Sequence, residues 1–147
     1  TLGAYYAYLE FCNQLKLSPM ELSDFSQIEV PDFYGTFFSR AKLQWAKPDT
    51  IFYYEIPVKK VVVDGQEKNG LYQTAQFQKR DKYAAFLYGN NGLTTIYSDV
   101  SEERKGSKIL VIKDSYGNSF IPYLTQNYEH RNKTTAAGIK TANVASI

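Results

Sequence analysis

Residues 109–112 (ILVI) form an uninterrupted apolar run between Lys108 and the pair Lys113-Asp114. A run of this length between charged residues is typical of a strand that is covered on both faces, as in the centre of a parallel sheet. Residues 116–127 have the pattern of a helix that follows directly. This strand-to-helix unit predicts a chain of the α/β class.

The start of the chain predicts an amphipathic helix over residues 2–16 that ends at Ser18-Pro19. Five residues share one face of it at helical spacing: Tyr5, Tyr8, Leu9, Cys12 and Leu15. The chain opens inside this helix, without an initiator Met or a signal peptide, so we expect a trimmed or partial product. A further helix is predicted over 78–88 and a strand over 93–97.

The middle of the chain is rich in β-branched and aromatic residues, and strands are predicted over 26–30, 51–56 and 58–63. Turn signals at Asp64-Gly65 and Asn69-Gly70 predict a hairpin within 58–74. The aromatic and basic stretch 32–48 fits no single element.

These elements together predict an α/β fold of the flavodoxin-like, three-layer kind with a β-rich insertion over 26–74. We expect one domain over residues 1–130 and an atypical tail over 131–147, because every aromatic residue lies at or before Tyr128. The sheet is expected to lack a strand or to recruit one from the tail. An exposed sheet edge of that kind favours a homodimer.

The charge pattern argues against a nucleic-acid partner. The chain has 17 basic and 15 acidic residues, and residues 131–147 hold three basic groups and no acid, so the body carries one more acid than base. One cysteine, Cys12, excludes an intrachain disulfide. No cluster of Cys and His and no nucleotide-binding motif occurs, so we expect no metal and no cofactor.

Ser115 is the first candidate for chemistry. A serine at the tip of a buried strand, followed by a helix, lies in the crevice where open α/β sheets bind ligands. Its hydroxyl is exposed there, and the backbone N–H groups of Ser115 and Tyr116 at the helix start can stabilise an oxyanion. The alternative is structural: an Asp-Ser pair that opens a helix is also an ordinary N-cap.

Gly89-Asn90-Asn91-Gly92 is the second candidate, because an Asn in a Gly-flanked loop can donate its side-chain amide to the same oxyanion. The alternative is a plain turn, since Asn and Gly tolerate left-handed backbone. His130 is the only histidine, and it follows Ser115 at the far end of the predicted helix. We therefore interpret His130 as a surface residue, which leaves Ser115 without a visible base.

Four ordered blocks resemble the bacterial DHHW family. Residues 1–8 (TLGAYYAY) are similar to the segment that directly follows the Asp-His-His-Trp signature of that family. The other three blocks are 34–42 with 47–50, 86–94, and 109–120. The resemblance covers roughly residues 1–130 and places the start of the chain just after the signature.

The resemblance implies an SGNH-hydrolase-like domain related to the alginate O-acetyltransferase group of cell-envelope proteins. In that group a Ser-His-Asp triad moves or removes acetyl groups on exported polysaccharides. Carried over, Ser115 is the nucleophile, and Gly89 and Asn90 are oxyanion-hole candidates, beside the backbone of Tyr116 named above. The Asp and His of the signature would precede Thr1, so this chain alone is expected to be inactive.

The implied setting is extracellular or at the bacterial cell surface. The implied partners are an acetylated carbohydrate and a membrane-bound O-acyltransferase. A second function stays open, because 13 Tyr, 9 Phe and 1 Trp among 147 residues also suit a non-catalytic, Tyr-rich module that binds glycans. A structural envelope fragment without activity is a third.

Overall fold

The computed structural model describes residues 2–34, 45, 47–99, 108–128 and 139–143. Helix α1 spans Leu2–Leu15, and helix α2 spans Gly117–Leu124. The described chain is a mixed α/β domain with these two helices, seven strands and three short 3-10 turns. Neither helix in these ranges is long and apolar enough to cross a membrane.

The strands form two sheets. A two-stranded antiparallel ribbon pairs β1 (Gln27–Phe33) with β2 (Asp49–Tyr54). A five-stranded sheet has the order β4-β3-β5-β7-β6. Its members are β3 (Lys60–Val63), β4 (Gln66–Lys68), β5 (Leu93–Tyr97), β6 (Ile109–Lys113) and β7 (Ile139–Asn143).

The predicted hairpin is confirmed in a shorter form, as β3 and β4 joined by Asp64-Gly65. Both turn residues have positive φ, 45° and 82°, which is the geometry that a two-residue hairpin turn requires. The Asp64 carboxylate also accepts a hydrogen bond of 2.7 Å from the backbone N–H of Leu93. The side chain of the turn thereby holds β5 against the hairpin.

The tail contributes β7, which confirms that the sheet recruits a strand from residues 131–147. Strand β7 lies between β5 and β6, antiparallel to the first and parallel to the second. The side chains of Ile139 and Thr141 are buried, and Ile139 belongs to the main core.

Strand β6 is parallel to its neighbour, as predicted, but the expectation that it is central and covered on both faces is wrong. It lies at the edge of the sheet, and Leu110 and Ile112 are 63% and 68% exposed. Only the alternate side chains of β6, down to the buried Lys113, face the protein. An apolar run predicts a strand that can be buried on both faces. Whether it is buried depends on the elements that pack beside it.

Both helices share one core with the five-stranded sheet. Tyr5, Tyr8 and Cys12 of α1 pack beside Ile121 and Tyr123 of α2. The rings of Tyr5, Tyr8 and Tyr123 lie with their centroids 5.5–6.0 Å apart, within the range of favourable aromatic pairs. The second helical layer that a three-layer fold needs is not found among the described residues.

The helix predicted over 78–88 is wrong. Residues Thr74–Gln78 and Lys82–Ala85 form 3-10 turns instead. Phe77 and Phe86 are both buried in a second core beneath the β1–β2 ribbon, with ring centroids 6.0 Å apart. Tertiary packing of these rings overrides the local helical preference.

Candidate functional site

The turn between β6 and α2 presents Ser115 to solvent. Asp114 closes the turn before α2, because its carboxylate accepts a 3.0 Å hydrogen bond from the backbone N–H of Tyr116. Its backbone oxygen also accepts one from Gly117 at 3.2 Å. Within the described ranges, neither the hydroxyl nor the N–H of Ser115 makes a hydrogen bond. The N-cap that the Asp-Ser pair suggested is not formed: Tyr116 is the N-cap residue of α2, without a side-chain capping hydrogen bond.

The loop that carries Asn90 has an unusual backbone. Leu87, Tyr88 and Gly89 have φ values of 51°, 61° and 86°, and left-handed backbone is costly for residues with a side chain. Asn91 stabilises the loop, since its side-chain N–H groups donate to the oxygens of Leu87 at 2.8 Å and Gly89 at 3.1 Å. Asn90 is exposed at the tip.

An amide pair brings this loop to the turn of Ser115. The side-chain N–H of Asn118, in the first turn of α2, donates to the side-chain oxygen of Asn90 across 3.0 Å. The backbone N–H of Asn118 donates to the oxygen of Ser115 at 3.2 Å. Asn118 therefore contacts both candidate residues, and the structure brings Ser115 and Asn90 to the same corner of the domain.

Lys113 completes this cluster. Its ammonium donates a hydrogen bond to the side-chain oxygen of Asn118, and only 7% of Lys113 and 4% of Asn118 are exposed. Burial lowers the pKa of Lys113, and the nearby Asp114 carboxylate partly opposes that shift. A charged lysine in such a place needs polar partners, and Asn118 is one of them.

The other oxyanion candidates have backbone N–H groups that are already paired. The N–H of Gly89 donates to the oxygen of Phe86 at 3.0 Å, and the N–H of Tyr116 donates to Asp114. Their part in an oxyanion hole stays a prediction. Of the oxyanion candidates, the side-chain N–H groups of Asn90 and the N–H of Ser115 have no hydrogen-bond acceptor among the described residues.

A groove of about 730 Å³ borders the Ser115 turn. Its floor comes from β6 and α2, with Lys113, Gly117 and Phe120, and Asp114 and Tyr116 on either side of Ser115 also line it. Its wall is the start of α1, where Gly3, Ala4 and Ala7 leave room. The groove reaches the residues on both sides of Ser115, while Ser115 and Asn90 themselves are not among its lining residues.

The described residues contain no side chain that bonds to the hydroxyl of Ser115 and could act as its base. His130 lies outside the described residues, so its predicted place on the surface is not tested. No three of His, Cys, Asp and Glu come together in the described ranges in a way that could hold a metal ion.

Sequence reasoning missed Lys113 and Asn118. A signal for both was present: strand alternation puts Lys113 on the same inward face as Ile109 and Val111, where a lysine needs a polar partner. Asn118 follows three positions after Ser115, at the spacing that places it one helical turn further on.

Comparisons with known proteins find similar folds. The chain resembles a solved DHHW family protein from Eubacterium siraeum with 21% identity and a TM-score of 0.66, over 97% of this chain and 47% of that one. It also resembles a structure of Bacillus cereus PatB1 that carries a sulfonyl adduct. The identity is 15% and the TM-score 0.66, and the match covers 96% of this chain and 47% of that one. A second structure of Bacillus cereus PatB1 has 14% identity and a TM-score of 0.59, and the match covers 97% of this chain and 48% of that one.

At these identities the likeness to solved structures shows the fold alone, and the chain spans about half the length of each. No curated protein matches it at a significant level. The DHHW protein family, however, matches residues 1–133, which is most of the sequence. The chain therefore belongs to the DHHW protein family.

Proposed function

We propose that this chain is the serine-bearing part of an SGNH-type esterase or O-acetyltransferase that acts on acetylated cell-envelope or exported polysaccharide. Ser115 is the nucleophile. The observation that carries the proposal is the exposed hydroxyl of Ser115, without a partner among the described residues, in the same corner as the side-chain amide of Asn90.

The chemistry is acyl transfer. The Oγ atom of Ser115 attacks the acetyl carbonyl carbon, and its proton passes to a base. The carbonyl oxygen becomes an oxyanion, for which the N–H of Ser115 and the side-chain N–H of Asn90 are suitable donors. The C–O bond to the sugar then breaks, the sugar oxygen takes the proton, and the acetyl group stays on Ser115. Water or a second sugar hydroxyl removes it in the reverse sequence.

The base is assigned by family membership and by the resemblance described above. The Asp and His of the family signature, which would come before Thr1, supply the proton acceptor in this proposal. The SGNH-like, three-layer fold would be completed by the same additional chain, since the matched structures are about twice as long.

Similarity to PatB1 supports a reactive side chain in this fold. One PatB1 structure carries a sulfonyl adduct, and sulfonyl groups attach to nucleophilic side chains of proteins. A place outside the bacterial cell or on its surface, and a membrane-bound O-acyltransferase as partner, belong to the same proposal and rest on the resemblance alone.

The test compares this chain with a version extended upstream through the Asp-His-His-Trp signature. We expect the extended version to hydrolyse a small acetyl ester, and Ser115→Ala to lower kcat by about 10³-fold or more. Ser119→Ala is the matched control, because Ser119 lies four residues after Ser115 in the first turn of α2 and its hydroxyl donates to the oxygen of Tyr116. Turnover that survives Ser115→Ala would overturn the proposal.

A glycan-binding module is the second candidate, and Tyr116 favours it. This side chain is 85% exposed beside Ser115 and lines the groove. Most buried tyrosines lie instead in the core, among them Tyr5, Tyr8 and Tyr123, so the high Tyr content itself gives little support. Calorimetric titration of acetylated and deacetylated polysaccharide into the chain and into Tyr116→Ala tests this function.

The homodimer stays a proposal that rests on the exposed edge of β6. Leu110 and Ile112 lie on the exposed face of this edge strand, and an exposed apolar edge strand favours strand pairing. Sedimentation of the chain should give a dimer that Ile112→Lys dissociates. A monomer at all concentrations would exclude it.

A further inference from the structure

Lys113, Asn118 and Asn90 form a chain of hydrogen bonds with a fixed direction. An ammonium group has donors and no acceptor, so the Asn118 atom that faces Lys113 has to be the oxygen. The nitrogen of the same amide then faces Asn90, to which it donates across 3.0 Å. The identity of the group at Lys113 thereby decides which way the amide of Asn118 is turned.

The same logic reaches the next amide. Because Asn118 presents a donor, the Asn90 atom that receives it has to be the oxygen. The nitrogen of Asn90 is then turned away from Asn118, with both of its N–H groups available. An Asn in a mobile loop would lose this preference, since the two ends of an amide are nearly equal in shape.

The packing around Lys113 holds its ammonium at this place. The aliphatic part of Lys113 passes beneath the start of α2, where Gly117 leaves room for it. A Cβ atom on Gly117 would lie 2.6 Å from both Cβ and Cδ of Lys113, closer than any ordinary contact. Lys113, Gly117 and Asn118 therefore depend on one another. The missing side chain of Gly117 leaves space for the aliphatic part of Lys113, and the ammonium of Lys113 orients the amide of Asn118.

We propose that Lys113 is a positioning residue that sets the orientation of the Asn90 amide through Asn118, so that Asn90 presents N–H donors rather than its oxygen to an oxyanion formed at Ser115. The inference rests on the proposed function of Ser115 for its catalytic meaning. The orientation of the two amides is a property of the folded chain and can be measured without activity.

The first test uses the 147-residue chain and the side-chain amide signals of Asn90 and Asn118 in its ¹⁵N NMR spectrum. Lys113→Met removes the donor and nearly keeps the length of the side chain. We expect the signals of both Asn118 and Asn90 to move, although Lys113 donates only to the first of them. Lys108→Met, at an exposed lysine before the same strand, is the matched control and should move neither.

Asn118→Asp reverses the hydrogen bond between residue 118 and Asn90 and keeps the size of the side chain. The carboxylate still accepts from Lys113 but has no donor for Asn90, so the Asn90 amide should turn its nitrogen toward residue 118. Its two N–H signals should then move while the circular dichroism spectrum stays unchanged. If Lys113→Met does not fold, this variant carries the test alone. Asn90 signals that stay unchanged in the folded variants would overturn the proposal.

The second test measures turnover in the version extended through the signature. Removal of one oxyanion donor lowers kcat by about 10²–10³-fold in known enzymes. Asn118→Asp should approach that loss with KM within about twofold, and Lys113→Arg, which keeps a donor, should retain more activity than Lys113→Met. Turnover that Ser115→Ala abolishes but Asn118→Asp and Lys113→Met leave intact would contradict this inference alone. Turnover that Ser115→Ala leaves intact would contradict the proposed function, and the NMR result would still stand.

Discussion

The side-chain amide of Asn118 donates a 3.0 Å hydrogen bond to the side-chain oxygen of Asn90 and thereby joins the turn of Ser115 to a loop 28 residues earlier in the sequence. The arrangement of Ser115 and Asn90 in the candidate site depends on this contact. It places an exposed amide near an exposed serine, and it does so from two elements that local sequence alone does not connect.

Asn90 and Asn91 should differ in what their loss does. Asn90→Ala removes an exposed side chain, so we expect little change in stability and a loss of about 10²-fold or more in kcat of the extended version. Asn91→Ala removes the hydrogen bonds to the oxygens of Leu87 and Gly89 and should cost about 1–2 kcal/mol of unfolding free energy. Urea denaturation and ester turnover of both variants test this, and equal effects of the two would contradict the separate roles.

Gly117 and Gly3 form a matched pair of helical glycines. Gly3→Ala should stabilise the domain by up to about 1 kcal/mol, because alanine favours helix and nothing lies within 4 Å of the new Cβ. Gly117→Ala has the same propensity gain but pushes on the stem of Lys113, and overpacking costs about 1–3 kcal/mol. Thermal melts should show a raised melting temperature for Gly3→Ala and a lowered one for Gly117→Ala. A raised melting temperature for both variants would show that the side chain of Lys113 moves aside without cost.

Tyr8 should be an energetic centre of the main core. It is fully buried, donates to the side-chain oxygen of Asn127 and accepts a 2.8 Å hydrogen bond from the backbone N–H of Met20. Tyr8→Phe keeps the ring and removes the hydroxyl that joins these two groups, so the N–H of Met20 loses this acceptor, at a cost of about 1–3 kcal/mol. Tyr6→Phe, on the exposed face of the same helix, is the control and should change stability little. Equal midpoints of denaturation for the two variants would contradict this assignment.

Tyr72 predicts a loss of stability in alkali. Burial raises the pKa of its phenol far above the ordinary value near 10, and the neighbouring Tyr123 and Tyr53 add to the shift. Above about pH 10 the unfolded chain releases this proton and the folded chain keeps it, so the free energy of unfolding falls as the pH rises. Tyr72→Phe should make that fall less steep between about pH 9 and 11, as measured by urea denaturation. An unchanged slope would mean that the phenol reaches water in the folded state.

The sequence allowed the strand before Ser115, the serine itself and the loop of Asn90 to be located. Each depends on a local pattern: an apolar run, a turn at the end of a strand, and a Gly-flanked asparagine pair. Helix α1 followed from the spacing of Tyr5, Tyr8 and Cys12, which are the residues it buries. Such patterns report the short-range preferences of the chain.

The parts that failed depend on packing across the domain. Residues 78–88 have helical composition, yet burial of Phe77 and Phe86 against the β1–β2 ribbon favours two 3-10 turns. The covering of Leu110 and Ile112 depends on which strand lies beside β6, and no local pattern contains that information. The burial of Lys113 was foreseeable from strand alternation, but its bond to Asn118 required the helix to be placed.

Reaction of the extended version with a fluorophosphonate, followed by intact-mass spectrometry, tests directly whether Ser115 is the nucleophile. We expect one adduct per chain, located on Ser115, absent from Ser115→Ala and retained in Ser119→Ala. A folded extended version that gains no mass, or one whose adduct persists after Ser115→Ala, would contradict the assignment of Ser115 as the nucleophile.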